Sequence, residues 1–392
     1  MDPVTAYRAW PKAELHLHLE GSVEPETMQE LDPSLTREAV RAMYRFHGFP
    51  GFIQAYKSVV ERLRTPEDYA RITRALMGQL AAETVQYAEI TLSAGVVLWK
   101  KQEFAPVYAA VRDAAAEFPI EVHWILDAVR HFGVEHAMRV AELAAERVND
   151  GVVAFGIGGD EERGPAAWFG EVYRFAKGAG LRLTAHAGET VGPESVWAAL
   201  EIGAERIGHG IRAVEDAALL RHLRDRGIPL EVCITSNVAT GAVESLDAHP
   251  VRRLFDAGVP ITLNTDDPAI FATTLSGEYA LAARQFGFSQ AELRGIAENG
   301  FRYAWGRTPV LRAGPQSCGR RPRRPVENQA IAIKPSPCQN RVFRSLHGLI
   351  GLRYQTPRGI LRTCTTARSA APAGKFLRSA LGPGPLAAPG AT

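Results

Sequence analysis

Cysteine is scarce in this chain, with 4 in 392 residues, which excludes a disulfide framework as the source of stability. No apolar run approaches the roughly 18 to 20 residues that a membrane-spanning helix needs, so no membrane partner is expected. The N-terminus lacks a basic region followed by an apolar stretch, and a cytoplasmic location is expected. With 36 Gly and 25 Pro, the chain falls short of collagen-like or wholly low-complexity composition. What it has is 46% hydrophobic residues against 22% charged ones, enough for a sizeable core.

Carboxylates are nearly missing from one part of the sequence. From Arg307 onward lie 15 of the 45 Lys and Arg residues but one of the 43 Asp and Glu residues, Glu327. Three of the four cysteines (Cys318, Cys338, Cys364) and 11 of the 25 prolines fall in the same stretch. The chain therefore divides into residues 1–306 and a basic Pro/Arg/Gly-rich tail, 307–392, for which no stable fold is expected. Two origins fit the tail. One is out-of-frame translation of a GC-rich gene from near residue 307; the other is a cationic segment that attracts polyanions. No aromatic-rich RNA motif or helix-turn-helix pattern accompanies it, so no specific nucleic-acid partner is expected.

Within 1–306, short runs of β-branched and aliphatic residues alternate with longer stretches of helical spacing. Eight strands are predicted: 13–19, 87–92, 121–129, 152–157, 181–186, 206–209, 230–234 and 261–264. Helices are predicted between them, among them 66–83, 135–148, 169–178, 191–202, 213–226 and 250–257. Eight strands in alternation with helices predict an α/β fold, a parallel (β/α)8 TIM barrel. The interval from Glu24 to Ala82 is too long for one crossover helix, so extra helices are expected after the first strand. Phe46, Phe49 and Phe52 in that interval are candidates for a pocket wall or for ordinary core. Cys233 is expected to be buried in the seventh strand.

A parallel barrel carries its active site at the C-terminal ends of its strands, and four predicted strands end in metal-type ligands. His16 and His18 stand two apart and so share one face of a strand. The fifth strand runs into His186-Ala187-Gly188-Glu189, the sixth into Gly208-His209-Gly210, and the eighth into Asn264-Thr265-Asp266-Asp267. Each alone has an ordinary reading as a solvated pair, a core histidine or a turn-capping carboxylate. Their convergence on one mouth points instead to one metal. Imidazoles with a carboxylate form the ligand set of a catalytic zinc, which lowers the pKa of a water toward neutrality. Glu189, three residues past His186, is placed to shuttle a proton rather than to ligate. Metal-assisted hydrolysis is the expected chemistry.

The segments ELHLHLEGS, GGDE, HAGE, IGHG, TSNVATGAV and NTDDP, in this order, resemble the adenosine deaminase family of the amidohydrolase superfamily over residues 8–306. The resemblance implies hydrolytic removal of the 6-amino group of a purine with release of ammonia. It implies His16, His18, His186 and Asp266 as ligands of one Zn2+ per chain. It makes Glu189 the acid at purine N1, His209 the residue that orients or deprotonates the attacking water, and Asp266 a further catalytic group. Asp267 would bind N7 and the N–H of Gly159 would bind N3, with His18 and Glu20 beside the substrate. Glu20 departs from the aspartate that adenosine deaminases carry to contact the ribose 5′-hydroxyl. Relatives with glutamate here include adenine deaminases and aminodeoxyfutalosine deaminases. The expected substrate is a small adenine nucleoside, adenosine or aminodeoxyfutalosine. The alternatives are free adenine, and a deaminase-like barrel inactivated by a disrupted C-terminus whose tail binds polyanions without specificity. The oligomeric state is not legible in the sequence.

Overall fold

A computed structural model describes residues 3–306. Its strands are β1 (Lys12–His18), β2 (Val85–Leu92), β3 (Glu121–Val129), β4 (Val152–Gly158), β5 (Arg182–Ala187), β6 (Arg206–His209), β7 (Leu230–Val232) and β8 (Ile261–Leu263). They form one eight-stranded sheet in sequence order, every adjacent pair parallel. A bridge between Leu17 and Asp266 brings the chain after β8 back beside β1. With helices between successive strands, the sheet is a (β/α)8 barrel, as the alternation of patterns predicts.

The strands read as nearly continuous apolar runs because helices cover the barrel outside and side chains fill it inside. β4 shows this in Val-Val-Ala-Phe-Gly-Ile-Gly, buried along almost its whole length. Between β1 and β2 lie four helices, Pro25–Leu31, Arg37–Met43, Gly48–Val60 and Pro66–Ala82, which account for the long interval. The last opens with a capping box, the Thr65 hydroxyl on the Asp68 N–H and the Asp68 carboxylate on the Thr65 N–H.

Two expected boundaries are corrected. β7 stops at Val232, and Ile234–Ala239 is a helix, so Cys233 lies just past the strand, though it is buried. A distant carboxylate causes the change: Glu278 Oε2 accepts the N–H groups of Ile234 at 3.1 Å and Thr235 at 3.3 Å, capping the helix start. The expected helix 213–226 begins only at Ala217, after a 3₁₀ turn, because Asp216 accepts the N–H groups of Ala218 and Leu219 and sets the start there. The boundary at 306/307 and the readings of the tail 307–392 lie outside the described residues. Among the described residues no helix is long and apolar enough to cross a membrane.

Candidate active site

The site grows from the strand ends. Alternation along β1 turns His16 and His18 to one face, β5 supplies His186, and Asp266 follows β8. Two backbone hydrogen bonds tie Asp266 to β1, His18 N–H to Asp266 O at 2.8 Å and Asp266 N–H to His16 O at 3.1 Å. Asp266 Oδ1 thereby stands 3.3 Å from Nε2 of both His16 and His18. His18 Nε2 and His186 Nε2 are 3.2 Å apart. One ligand-type atom from each of these four residues lies within 4.8 Å of the other three.

The outer nitrogens explain this arrangement. His16 Nδ1 meets Glu231 Oε2 at 2.8 Å, and His186 Nδ1 meets the carbonyl oxygen of Ile157 at 3.2 Å. An acceptor on Nδ1 holds the ring proton there and leaves the Nε2 lone pair facing inward. His16 Nε2 is buried with no hydrogen-bond partner, a costly state unless a cation occupies the cluster. These residues therefore fit a divalent ion. Behind them Glu231 binds Arg206 Nε at 2.5 Å, Arg206 binds Glu89 at 2.5 Å, and the Trp305 ring covers the guanidinium at 3.4 Å.

Backbone strain and missing side chains make room. His209 and Asp266 both sit at positive φ, +59° and +64°, uncommon for non-glycine residues and concentrated at functional sites. A Cβ on Gly208 would lie 2.7 Å from His16 Cε1, and one on Gly21 would lie 1.8 Å from Asp267 Oδ1. Glycine is thus required at both positions for the histidine and the carboxylate to occupy theirs.

The cluster opens into a cavity of about 500 Å³ whose wall includes His18, Gly159, His186, Glu189, His209, Asp266 and Asp267, with an apolar side formed by Phe49, Phe52, Val96 and Trp99. Burial pushes the Glu189 carboxyl well above its ordinary value, and the nearby charges of Asp266 and Glu161 add to it. Glu189 therefore holds a proton more readily than a free carboxyl does. Burial also lowers His209 to about 4, which keeps its ring neutral. Glu189 Oε2 and His209 Nε2 are 3.7 Å apart. Asp267 Oδ1 is buried without a partner, and burial together with Asp266 raises this carboxyl well above the usual range.

Glu20 stands apart from the cavity wall. Its Oε1 accepts the N–H of Ser93 at 3.1 Å, and Ser93 and Tyr56 stand in the wall instead. Phe49 and Phe52 line the cavity, while Phe46 packs against Phe52 and Phe271 at 6.1 Å.

Four groups here escaped the sequence reading. Glu161 lies in the GGDE segment, and its carboxylate accepts the N–H groups of Gly188, Glu189 and Thr190, each at 2.9 Å. Glu231 and Asp127 are single carboxylates inside the apolar runs of β7 and β3, an anomaly the sequence does display. Asn237, within TSNVATGAV, contacts His209.

An eight-stranded parallel barrel with this His/Asp cluster at its C-terminal mouth has the make-up of a hydrolase of the amidohydrolase type. Residues 11–313 match the family model described as adenosine deaminase. The chain belongs to that family and is a hydrolase acting on C–N bonds of cyclic amidines. It is 42% identical over 303 residues to an aminodeoxyfutalosine deaminase of Streptomyces avermitilis, covering 74% of this chain and 85% of that protein. It is 40% identical over 291 residues to an adenine deaminase of Rhizobium leguminosarum bv. trifolii, covering 72% and 90%. Among solved structures, an amidohydrolase from Burkholderia ambifaria with bound Zn superposes with a TM-score of 0.71 at 28% identity, covering 78% of this chain and 89% of that one.

Proposed function

We propose that this protein deaminates an adenine nucleoside at carbon 6, giving the 6-oxo purine and ammonia, and that it works with one Zn2+ held by His16, His18, His186 and Asp266. The observation that carries the reading is the inward convergence of imidazole nitrogens and one carboxylate beside the buried Glu189, whose carboxyl burial pushes well above its ordinary value. The ion, when bound, supplies the Lewis acidity that makes water a nucleophile at neutral pH.

The chain's own groups divide the remaining work. Glu189 donates its proton to purine N1, so that negative charge arriving at carbon 6 is neutralised on the ring. His209 orients or deprotonates the attacking water, and Asp266 is a further catalytic group. Asp267 hydrogen-bonds N7, and the N–H of Gly159 donates to N3. His18 lies beside the substrate.

A cavity of about 500 Å³ with an apolar wall is of the size that encloses a drug-sized molecule. That supports a purine carrying a 9-substituent, adenosine or aminodeoxyfutalosine, over the free base. The name of the Streptomyces relative favours aminodeoxyfutalosine. Free adenine is the second reading, favoured by the Rhizobium relative at nearly the same identity. Glu20, behind Ser93 and Tyr56, acts on the 9-substituent through that pair.

Glu189→Gln tests the mechanism. It removes the proton while preserving shape, so turnover is expected to be abolished with metal content unchanged. Full activity in this variant contradicts the mechanism.

A further inference from the structure

Several histidines meet at the mouth of the barrel, and His209 differs in what lies on its Nδ1. His16 and His186 have acceptors there, a carboxylate and a carbonyl. His209 Nδ1 instead lies 3.0 Å from the side-chain nitrogen of Asn237. An amide can be turned end for end, so the orientation of Asn237 has to be derived from its other partner.

That partner is His249, and its proton can be located from the backbone. The N–H of Val251 donates to His249 Nδ1 at 3.2 Å, and a backbone N–H is a donor in every state. Burial lowers His249 to about 3, so the ring is neutral. Its one proton is therefore on Nε2, which lies 3.2 Å from Asn237 Oδ1. Asn237 must present its oxygen to His249 and its NH₂ to His209. His209 Nδ1 is then an acceptor, and the single proton of His209 sits on Nε2. That nitrogen faces Glu189 at 3.7 Å and Asp266 at 3.9 Å.

We propose that Asn237 and His249 are positioning residues that hold His209 in its Nε2–H tautomer, so that His209 gives a hydrogen bond to the attacking oxygen and does not take its proton. The catalytic half of this proposal rests on the deaminase reading; the tautomer does not. As oxygen bonds to carbon 6, the O–H bond of the water breaks and its proton passes to the Asp266 carboxylate. The same tautomer removes His209 from the ligand set, because its inward nitrogen has no free lone pair. His209, Cys233 and Asp266 also lie close enough to hold an ion, and the tautomer explains why the ion belongs with His16, His18 and His186 instead.

The test uses full-length protein labelled with ¹⁵N-histidine, with the His209 signals assigned from a His209→Asn sample. Long-range ¹H–¹⁵N correlations are expected to show His209 protonated at Nε2 and bare at Nδ1. In Asn237→Asp the new carboxylate can only accept, so the proton is drawn to Nδ1 and the tautomer inverts. In that variant kcat is expected to fall by about 10²-fold or more, the scale of a lost proton-handling group, with KM little changed. An Nδ1–H signal in the parent overturns the proposal without recourse to any variant. So does an Asn237→Asp protein that keeps the parent's tautomer and kcat. A parent that shows the Nε2–H tautomer but deaminates no purine contradicts the deaminase reading and upholds the positioning.

Discussion

Glu231 Oε2 lies 2.8 Å from His16 Nδ1, on the side of the ring away from the ligand cluster. Glu231 is itself held by Arg206, and Arg206 by Glu89, so the His16 ring is oriented by a buried chain of charges crossing the barrel interior. Glutamine at 231 keeps the shape but can present its NH₂ to His16 and free the ring's tautomer. Outer partners of this kind are worth 10- to 100-fold in metal affinity by order of magnitude, about 1.4 to 3 kcal/mol. Glu231→Gln is expected to weaken Zn2+ binding to that degree, measured by competition with a chelator.

Glu161 organises the loop that carries Glu189. Its carboxylate collects three consecutive backbone N–H groups and the Ser195 hydroxyl, and replacing it by alanine leaves those buried donors unsatisfied. Glu161→Ala is expected to lower kcat by at least about tenfold and to reduce Tm by several degrees. Steady-state kinetics and a melting curve check the two effects on one sample.

Asp127 is a buried carboxyl in the cavity wall that accepts no side-chain hydrogen bond among the described residues. Burial raises it from 3.8 to about 7, against the opposing pull of Arg130. The folded state therefore keeps a proton that the unfolded chain releases between these values, and stability falls as pH rises through that window. Above about 7 the cost is fully present. An amide in place of this carboxyl carries no such cost, so the Tm advantage of Asp127→Asn over the parent should grow from pH 4 to pH 7 by several degrees and then level off. Parallel melts of the metal-free proteins measure it.

The barrel was legible because its strands are short runs rich in aliphatic residues and its helices are longer and amphipathic, so two periods alternate down the chain. The His/Asp cluster was legible because His16 and His18 share a strand face and His186 stands between two alanines. Glycine makes room as well: a Cβ on Gly208 would strike His16. The residues that position the site were less visible. Glu231 is one acid in a strand, and its partner Arg206 is 25 positions away on another. Asn237 and His249 acquire meaning only once the Val251 N–H fixes a proton on one of them. Local pattern likewise extended β7 through Ile234, since the carboxylate that starts the helix there comes from Glu278. Tertiary partners with no periodic signature account for each of these gaps.

Supplying Zn2+-loaded full-length protein with aminodeoxyfutalosine, adenosine and adenine in separate reactions, and following conversion of the 6-amino to the 6-oxo purine by mass, tests the central claim most directly. Conversion of a 9-substituted adenine is expected, strongest for aminodeoxyfutalosine, and none by Glu189→Gln. A folded, metal-loaded protein that leaves all three purines unchanged would contradict it.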